Sequence, residues 1–139
     1  MKKKNKPSLE LIKSIDEVDF IAQLVLSLLN TEKTNYLFLQ GEIGSGKTTL
    51  VKSIAKILNE TKDVISPTFN KMIVYDKFVH IDAYNMKGQS IESFEDYWDS
   101  KIVIIEWVEN LVDNFNEGFV IDIKFIDEKT RKYTIFWKE

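Results

Sequence analysis

Tyr36-Leu37-Phe38-Leu39-Gln40-Gly41-Glu42-Ile43-Gly44-Ser45-Gly46-Lys47-Thr48-Thr49 is the stretch that decides the fold. Tyr36 to Leu39 is a short apolar run of the kind that makes a buried strand. Gly41 to Thr48 then fits G-x-x-x-x-G-K-[ST]. From Thr48 to Leu58, the residues Leu50, Val51, Ile54, Ala55, Ile57 and Leu58 recur at helical spacing. Strand, glycine loop and helix form the setting of a phosphate-binding loop. Glycines let the backbone turn its N–H groups inward onto phosphate oxygens, and the helix N-terminus adds partial positive charge. Lys47 is placed to neutralise β- and γ-phosphate charge, and the Thr48 hydroxyl to hold Mg²⁺. A chance match in a chain of this length is on the order of one in a hundred, given ordinary glycine usage. The chain is therefore expected to bind ATP or GTP.

The rest of the sequence is consistent with a small α/β domain. At 139 residues the chain has the length of one domain and can bury about two-thirds of its unfolded surface. Residues 1–12 read as a flexible basic tail, from Met1-Lys2-Lys3-Lys4-Asn5-Lys6, and residues 13–139 as the domain. No cysteine occurs, which fits a reducing cytosol and leaves no thiolate metal site. Apolar runs are broken well before the length of a membrane span. Together these features point to the cytoplasm. The net charge of −3 does not favour nucleic acid as a direct ligand.

Further elements follow from pattern. Ser14-Ile15-Asp16-Glu17 has the spacing of a capping box, ahead of a helical apolar face at Val18, Ile21, Ala22, Leu24, Val25 and Leu28. Lys71–Tyr75 and Lys77–Ile81 read as two short strands around Asp76. Glu92–Trp98 reads as a short helix and Val108–Asn114 as a helical turn. Ile102-Val103-Ile104-Ile105 is a β-branched run suited to a buried strand, and Phe119–Ile126 and Tyr133–Trp137 are closing strands.

A nucleotide hydrolase also needs carboxylates near the phosphates. Asp82 ends Phe78-Val79-His80-Ile81, and Glu106 ends Ile102–Ile105. One can contact Mg²⁺ and the other can orient the attacking water; the sequence does not say which does which. Thr68, after Pro67, offers a hydroxyl and a backbone N–H where a γ-phosphate sensor can sit. His80, the only histidine, reads as a packed or hydrogen-bonded core residue. Trp98 and Trp107 read as core or rim residues. Arg131 is the only arginine, so the chain offers a single guanidinium to a phosphoryl transition state.

Four segments, in this order, resemble the TsaE family (also called YjeE), small bacterial ATPases needed to make threonylcarbamoyladenosine in tRNA. They are Gly41 to Thr49, Ser66-Pro67-Thr68-Phe69, His80-Ile81-Asp82-Ala83-Tyr84, and Ile105-Glu106-Trp107-Val108-Glu109. The resemblance runs from about Ser14 to Trp137. It implies a single P-loop NTPase domain with a mixed central β-sheet flanked by helices, with ATP and Mg²⁺ as ligands. Gly41, Glu42, Ile43, Gly44, Ser45, Gly46, Lys47, Thr48, Thr49 and Thr68 would contact the nucleotide. Thr48, Asp82 and Glu106 would form the magnesium site, with Lys47, Glu106 and Asp82 as catalytic residues. Ser66–Phe69 and His80–Tyr84 would act like switch loops. The partner would be a TsaD–TsaB complex, with tRNA reached indirectly through it. TsaD would transfer the threonylcarbamoyl group, and ATP turnover by the TsaE-like subunit would reset the complex. Two positions depart from the family pattern: Asn85 stands where arginine is usual, and Val108 where proline is usual. The first removes a cis charge, so hydrolysis by the isolated chain is expected to be slow, with partner residues or Arg131 supplying part of that charge.

Two rival readings remain. A small nucleotide kinase normally clamps phosphates with several arginines, which this chain lacks. A non-enzymatic adaptor would use ATP only to select a partner-binding conformation. No guanine-reading N-K-x-D motif occurs, which favours ATP.

Overall fold

The computed structural model describes residues 8–67, 71–115 and 117–138. Strand β1 is Leu9–Ser14, followed by a 3₁₀ turn, Ile15–Glu17, and helix α1, Val18–Glu32. Strand β2, Tyr36–Gln40, leads through the glycine loop to helix α2, Lys47–Ile57. Next come β3 (Met72–Val74), β4 (Phe78–Asp82), a 3₁₀ segment (Glu92–Tyr97), β5 (Ile102–Glu106) and a 3₁₀ turn (Val108–Asn110). The chain closes with β6, Gly118–Asp127, and β7, Thr130–Lys138. The strands form one mixed sheet in the order β1-β7-β6-β2-β5-β4-β3. β4, β5, β2 and the first half of β6 are parallel neighbours; β3, β7 and β1 join antiparallel.

The alternation of side chains across the sheet assigns the two faces. Leu37, Leu39, Phe78, Ile104, Ile121, Ile123 and Ile135 face α1 and α2, and pack on Ile21, Val25, Leu50, Val51 and Ile54. Phe38, Val79, Ile81, Val103, Ile105 and Val120 face the other way, where Met86, Ile91, Trp98, Val108 and Leu111 cover them. Both described α-helices thus lie on one face, and loops and 3₁₀ turns cover the other. The helices are also joined at their surface: Asp19 of α1 accepts hydrogen bonds from Ser53 and Lys56 of α2. Those two donors hold the Asp19 carboxyl below its usual range, the lysine contributing most.

The capping box at Ser14 forms, with the Ser14 N–H donating to Glu17 at 3.0 Å. It opens a 3₁₀ turn that runs into α1 rather than starting the α-helix directly. The predicted hairpin around Asp76 is present as β3 and β4, closed by the Tyr75 N–H donating to the Phe78 carbonyl at 2.8 Å. The extent of the tail needs correction. Leu9 to Ile12, read as part of it, belong to β1, paired with β7 from Leu9 opposite Ile135 to Ser14 opposite Thr130. The physical reason is an edge position: β7 has a free side, and Leu9 and Leu11 supply the alternate apolar residues that pack on the core there. No helix among the described residues is long and apolar enough to cross a membrane.

Candidate functional site

Strand parity brings the charged residues together. In β4, His80 and Asp82 follow Phe78 at two-residue steps, so all three face the helices. In β5, Glu106 follows Ile104 to the same face. Asp82 and Glu106 stand opposite each other in the β4–β5 register. Both lie at the C-terminal ends of parallel strands, beside the loop that leaves the C-terminal end of β2. That is the crevice where open α/β sheets bind ligands.

The loop's shape depends on glycine at two points. Gly46 has φ of 117° immediately before α2, in the region that L side chains rarely adopt. At Gly41, with φ of 146°, an added Cβ would lie 2.5 Å from the Ser45 Oγ and 2.7 Å from the Ile123 carbonyl oxygen. Glycine at Gly41 thus lets the loop fold down against β6.

A cavity of about 370 Å³ lies beside the loop. Ile43, Gly44, Gly46, Lys47, Thr48 and Thr49 form one wall, and Asp82 and Glu106 the floor. Ser66, Tyr84, Trp107 and Arg131 complete the rim. Gly41, Glu42 and Ser45, also expected at the nucleotide, instead line a second hollow under the loop, with Asp122, Ile123, Lys124 and Phe125. Thr68, the expected γ-phosphate sensor, and Phe69 lie outside the described residues; Ser66 of the same segment is at the rim.

Within the cavity, charges are paired. Lys47 Nζ donates to the Gly41 carbonyl and lies 3.7 Å from Glu106 Oε1. It also sits 5.9 Å from the centroid of the Trp107 ring. Glu106 Oε2 is 2.6 Å from His80 Nε2. The Asp82 Oδ1 accepts the Tyr84 N–H at 3.0 Å, and the Ala83 N–H donates to the Glu106 carbonyl at 2.9 Å. Asp82 and Glu106 are each nearly buried, at 7 % and 6 % exposure, so neither is an ordinary surface acid. His80 is fully buried, as the sequence reading expects of a packed histidine, but its partner is a site residue. Trp98 is buried in the core, whereas Trp107 is at the cavity with φ of 60°. A bulky residue in the left-handed region costs on the order of 1–3 kcal/mol. Its ring meets Tyr84 edge-on at 5.1 Å between centroids.

Arg131 reaches the loop from β7. Its Nε–H donates to the Ser45 carbonyl at 2.9 Å, and Nη1 donates to the carbonyls of Asp127 at 2.6 Å and Thr130 at 3.0 Å. The guanidinium also stacks over Phe125, 4.7 Å from its centroid. Three of its N–H donors are thus used on backbone. The sequence reading names Arg131 only as a source of charge, Ser66 and Tyr84 only as parts of switch-like segments, and Trp107 as core or rim; their places around one cavity come from the structure. Tyr84 and Trp107 have a usable local sign, since each follows a strand-end carboxylate by one or two positions. Arg131 has none.

The donor set suits a hard divalent cation. Thr48, Asp82 and Glu106 offer oxygen only, as Mg²⁺ requires. No group of three or more His, Cys, Asp or Glu among the described residues could hold a metal by itself.

Comparison with known proteins identifies the family. The family model described as "Threonylcarbamoyl adenosine biosynthesis protein TsaE" matches residues 12–134. A tRNA threonylcarbamoyladenosine biosynthesis protein TsaE from Nostoc sp. is 32 % identical over 110 residues, covering 71 % of this chain and 68 % of that one. The protein of the same name from Aquifex aeolicus is 28 % identical over 134 residues, 92 % of this chain and 95 % of its own. The crystal structure of Bacillus subtilis YdiB superposes with a TM-score of 0.68 at 24 % identity, over 96 % of this chain and 87 % of that one, and so shares its fold. With its phosphate loop, strand-end carboxylates and nearly full length matched, the chain belongs to the TsaE family.

Proposed function

We propose that this chain is a Mg²⁺-dependent ATPase that serves threonylcarbamoyladenosine modification of tRNA. It would act on a TsaD–TsaB-like complex and reset it between turnovers, reaching tRNA only through that complex. One observation carries the reading: Lys47, Thr48, Asp82 and Glu106 line a single cavity of about 370 Å³. In a kinase or a passive adaptor there is less reason for two nearly buried carboxylates beside the phosphate-loop lysine.

Each residue then has a chemical task. The loop N–H groups bind phosphate oxygens, and Lys47 neutralises the β- and γ-phosphates. Thr48, Asp82 and Glu106 are the residues that would hold Mg²⁺, which when bound offsets charge on the phosphate oxygens. One carboxylate also accepts a hydrogen bond from the attacking water and aligns it with the γ-phosphorus. As the water oxygen bonds to phosphorus, the bond to the bridging oxygen of ADP breaks. Arg131 sits behind the loop and lends part of the charge that Asn85 cannot.

The test is ATP hydrolysis by the chain alone and with TsaD- and TsaB-like partners from the same organism, using Lys47→Ala as the control. The isolated chain is expected to turn over below about 1 s⁻¹, the low end of the enzyme range. Partners should raise the rate strongly, and Lys47→Ala should abolish it. ATP binding without stimulated hydrolysis would return the adaptor reading. Transfer of the γ-phosphoryl group to a small acceptor would return the kinase.

A further inference from the structure

We infer that His80 is a positioning residue for Glu106: fixed as the tautomer with hydrogen on Nε2, it donates to Oε2 and holds the carboxylate in place. The inference rests on the reading above, in which Glu106 serves ATP hydrolysis.

The tautomer follows from geometry. His80 Nδ1 is buried and has no hydrogen-bond partner among the described residues, whereas Nε2 is 2.6 Å from a carboxylate oxygen. If Nδ1 carried the hydrogen, that N–H would be buried unpaired and the Nε2 lone pair would face Oε2 at close range. An unsatisfied buried donor costs about 1–3 kcal/mol. With hydrogen on Nε2 alone, the only unmatched group is a bare ring nitrogen.

The consequence is a carboxylate held at both ends. Oε2 is engaged by His80, and Oε1 is left toward Lys47 at 3.7 Å and the cavity. A glutamate side chain otherwise has several rotatable bonds to order when it acts. The β4–β5 register makes the anchor rigid, since His80 pairs with Ile104 and Glu106 lies two residues further along the same face. A carboxylate fixed beforehand loses less on reaching the reactive geometry.

The test has two readouts. Because the chain has one histidine, ¹⁵N-histidine labelling reads this ring alone. The wild-type spectrum at neutral pH should show a protonated Nε2 and a bare Nδ1, and Glu106→Ala should move the Nε2 resonance and admit the other tautomer. A protonated Nδ1, or a ring indifferent to Glu106→Ala, would overturn the inference. In the second readout, His80→Phe should lower kcat by about 10–100-fold, the range for outer-shell partners of ligating residues. Its Kd for ADP should stay within about twofold of wild type. His80→Gln, whose amide keeps an N–H toward Glu106, should recover most of kcat. Equal loss in both variants, or loss in Kd rather than kcat, would reduce His80 to a packing residue. The spectrum is read without turnover, so a wild-type chain that fails to hydrolyse ATP sinks the ATPase reading separately.

Discussion

The two halves of the sheet are built differently and divide the work. In the parallel half, β2, β4 and β5 are short and buried, and their C-terminal ends carry the glycine loop, Asp82 and Glu106. In the antiparallel half, β6 and β7 run to ten and nine residues and extend into exposed positions beyond the core. That half supplies one rim residue, Arg131. The contrast is a consequence of strand direction. Parallel neighbours bring equivalent ends to the same side, so their termini can converge on one ligand. Antiparallel neighbours alternate ends, and offer ladder hydrogen bonds and packing instead. Chemistry should thus be lost by changes in the first half and stability by changes in the second.

The largest expected effect tests the parallel side. Lys47→Ala should cut ATP turnover by about 10²–10³-fold or more, the scale for loss of a group stabilising transition-state charge. Its thermal midpoint should stay near wild type; a large drop would mean that Lys47, bonded to Gly41 and near Glu106, holds the loop together. Ile135→Ala tests the other side. This fully buried β7 residue should cost about 2–5 kcal/mol in denaturant unfolding, with kcat per folded molecule unchanged. A fall in kcat at full folding would blur the division.

Gly41→Ala probes the seam between the halves. The methyl group would press on Ser45 and on the Ile123 carbonyl of β6, so stability should drop by about 1–3 kcal/mol and nucleotide affinity should fall with it. Retained affinity would show that the loop can lift off β6. Arg131→Ala should cost about 1 kcal/mol or slightly more, for the carbonyl bonds lost at Ser45, Asp127 and Thr130. Slower partner-stimulated hydrolysis with unchanged Kd for ADP would assign its charge to the reaction. The smallest effect is at Asp19, on the helix layer outside both halves. Its carboxyl is held low by Lys56 and then Ser53, so the stabilisation is complete above the ordinary carboxylate range and fades as pH falls through the lowered value. Asp19→Asn should flatten the loss of thermal stability below about pH 4; an unchanged acid limb would assign that loss to other carboxylates.

Much of this division can be read from the chain. Tyr36–Gln40 and Ile102–Glu106 are apolar runs with few competing interpretations, and the glycine motif between Gly41 and Thr48 specifies its own surroundings. Lys47, Thr48, Asp82 and Glu106 are legible because they sit in that motif or at the ends of such runs. β1 is not legible in the same way. Leu9-Glu10-Leu11-Ile12 is too short to declare a strand beside a lysine-rich start, and only the edge of β7 makes it one. Arg131 is legible as the single guanidinium but its place is hidden for a related reason: the carbonyl it meets, at Ser45, is 86 residues away in sequence, so no local pattern puts it at the loop. His80 is legible as buried, but its hydrogen-bond partner depends on the β4–β5 register.

The position of β2 also bears on how the protein is made. Its two neighbours are β5 and β6, both of which follow it in the chain, and β1 pairs only with β7, the last strand. During N-to-C synthesis the phosphate loop emerges before either flanking strand, and β1 waits longest of all for its mate. Loop-closure entropy delays such distant pairings until late in folding. A nascent chain stalled after Thr48 and before Ile102 therefore carries the complete glycine motif and neither of the strands that flank β2. Shortening the C-terminus by one strand would leave both β6 and β1 with bare edges, open to pairing with another chain.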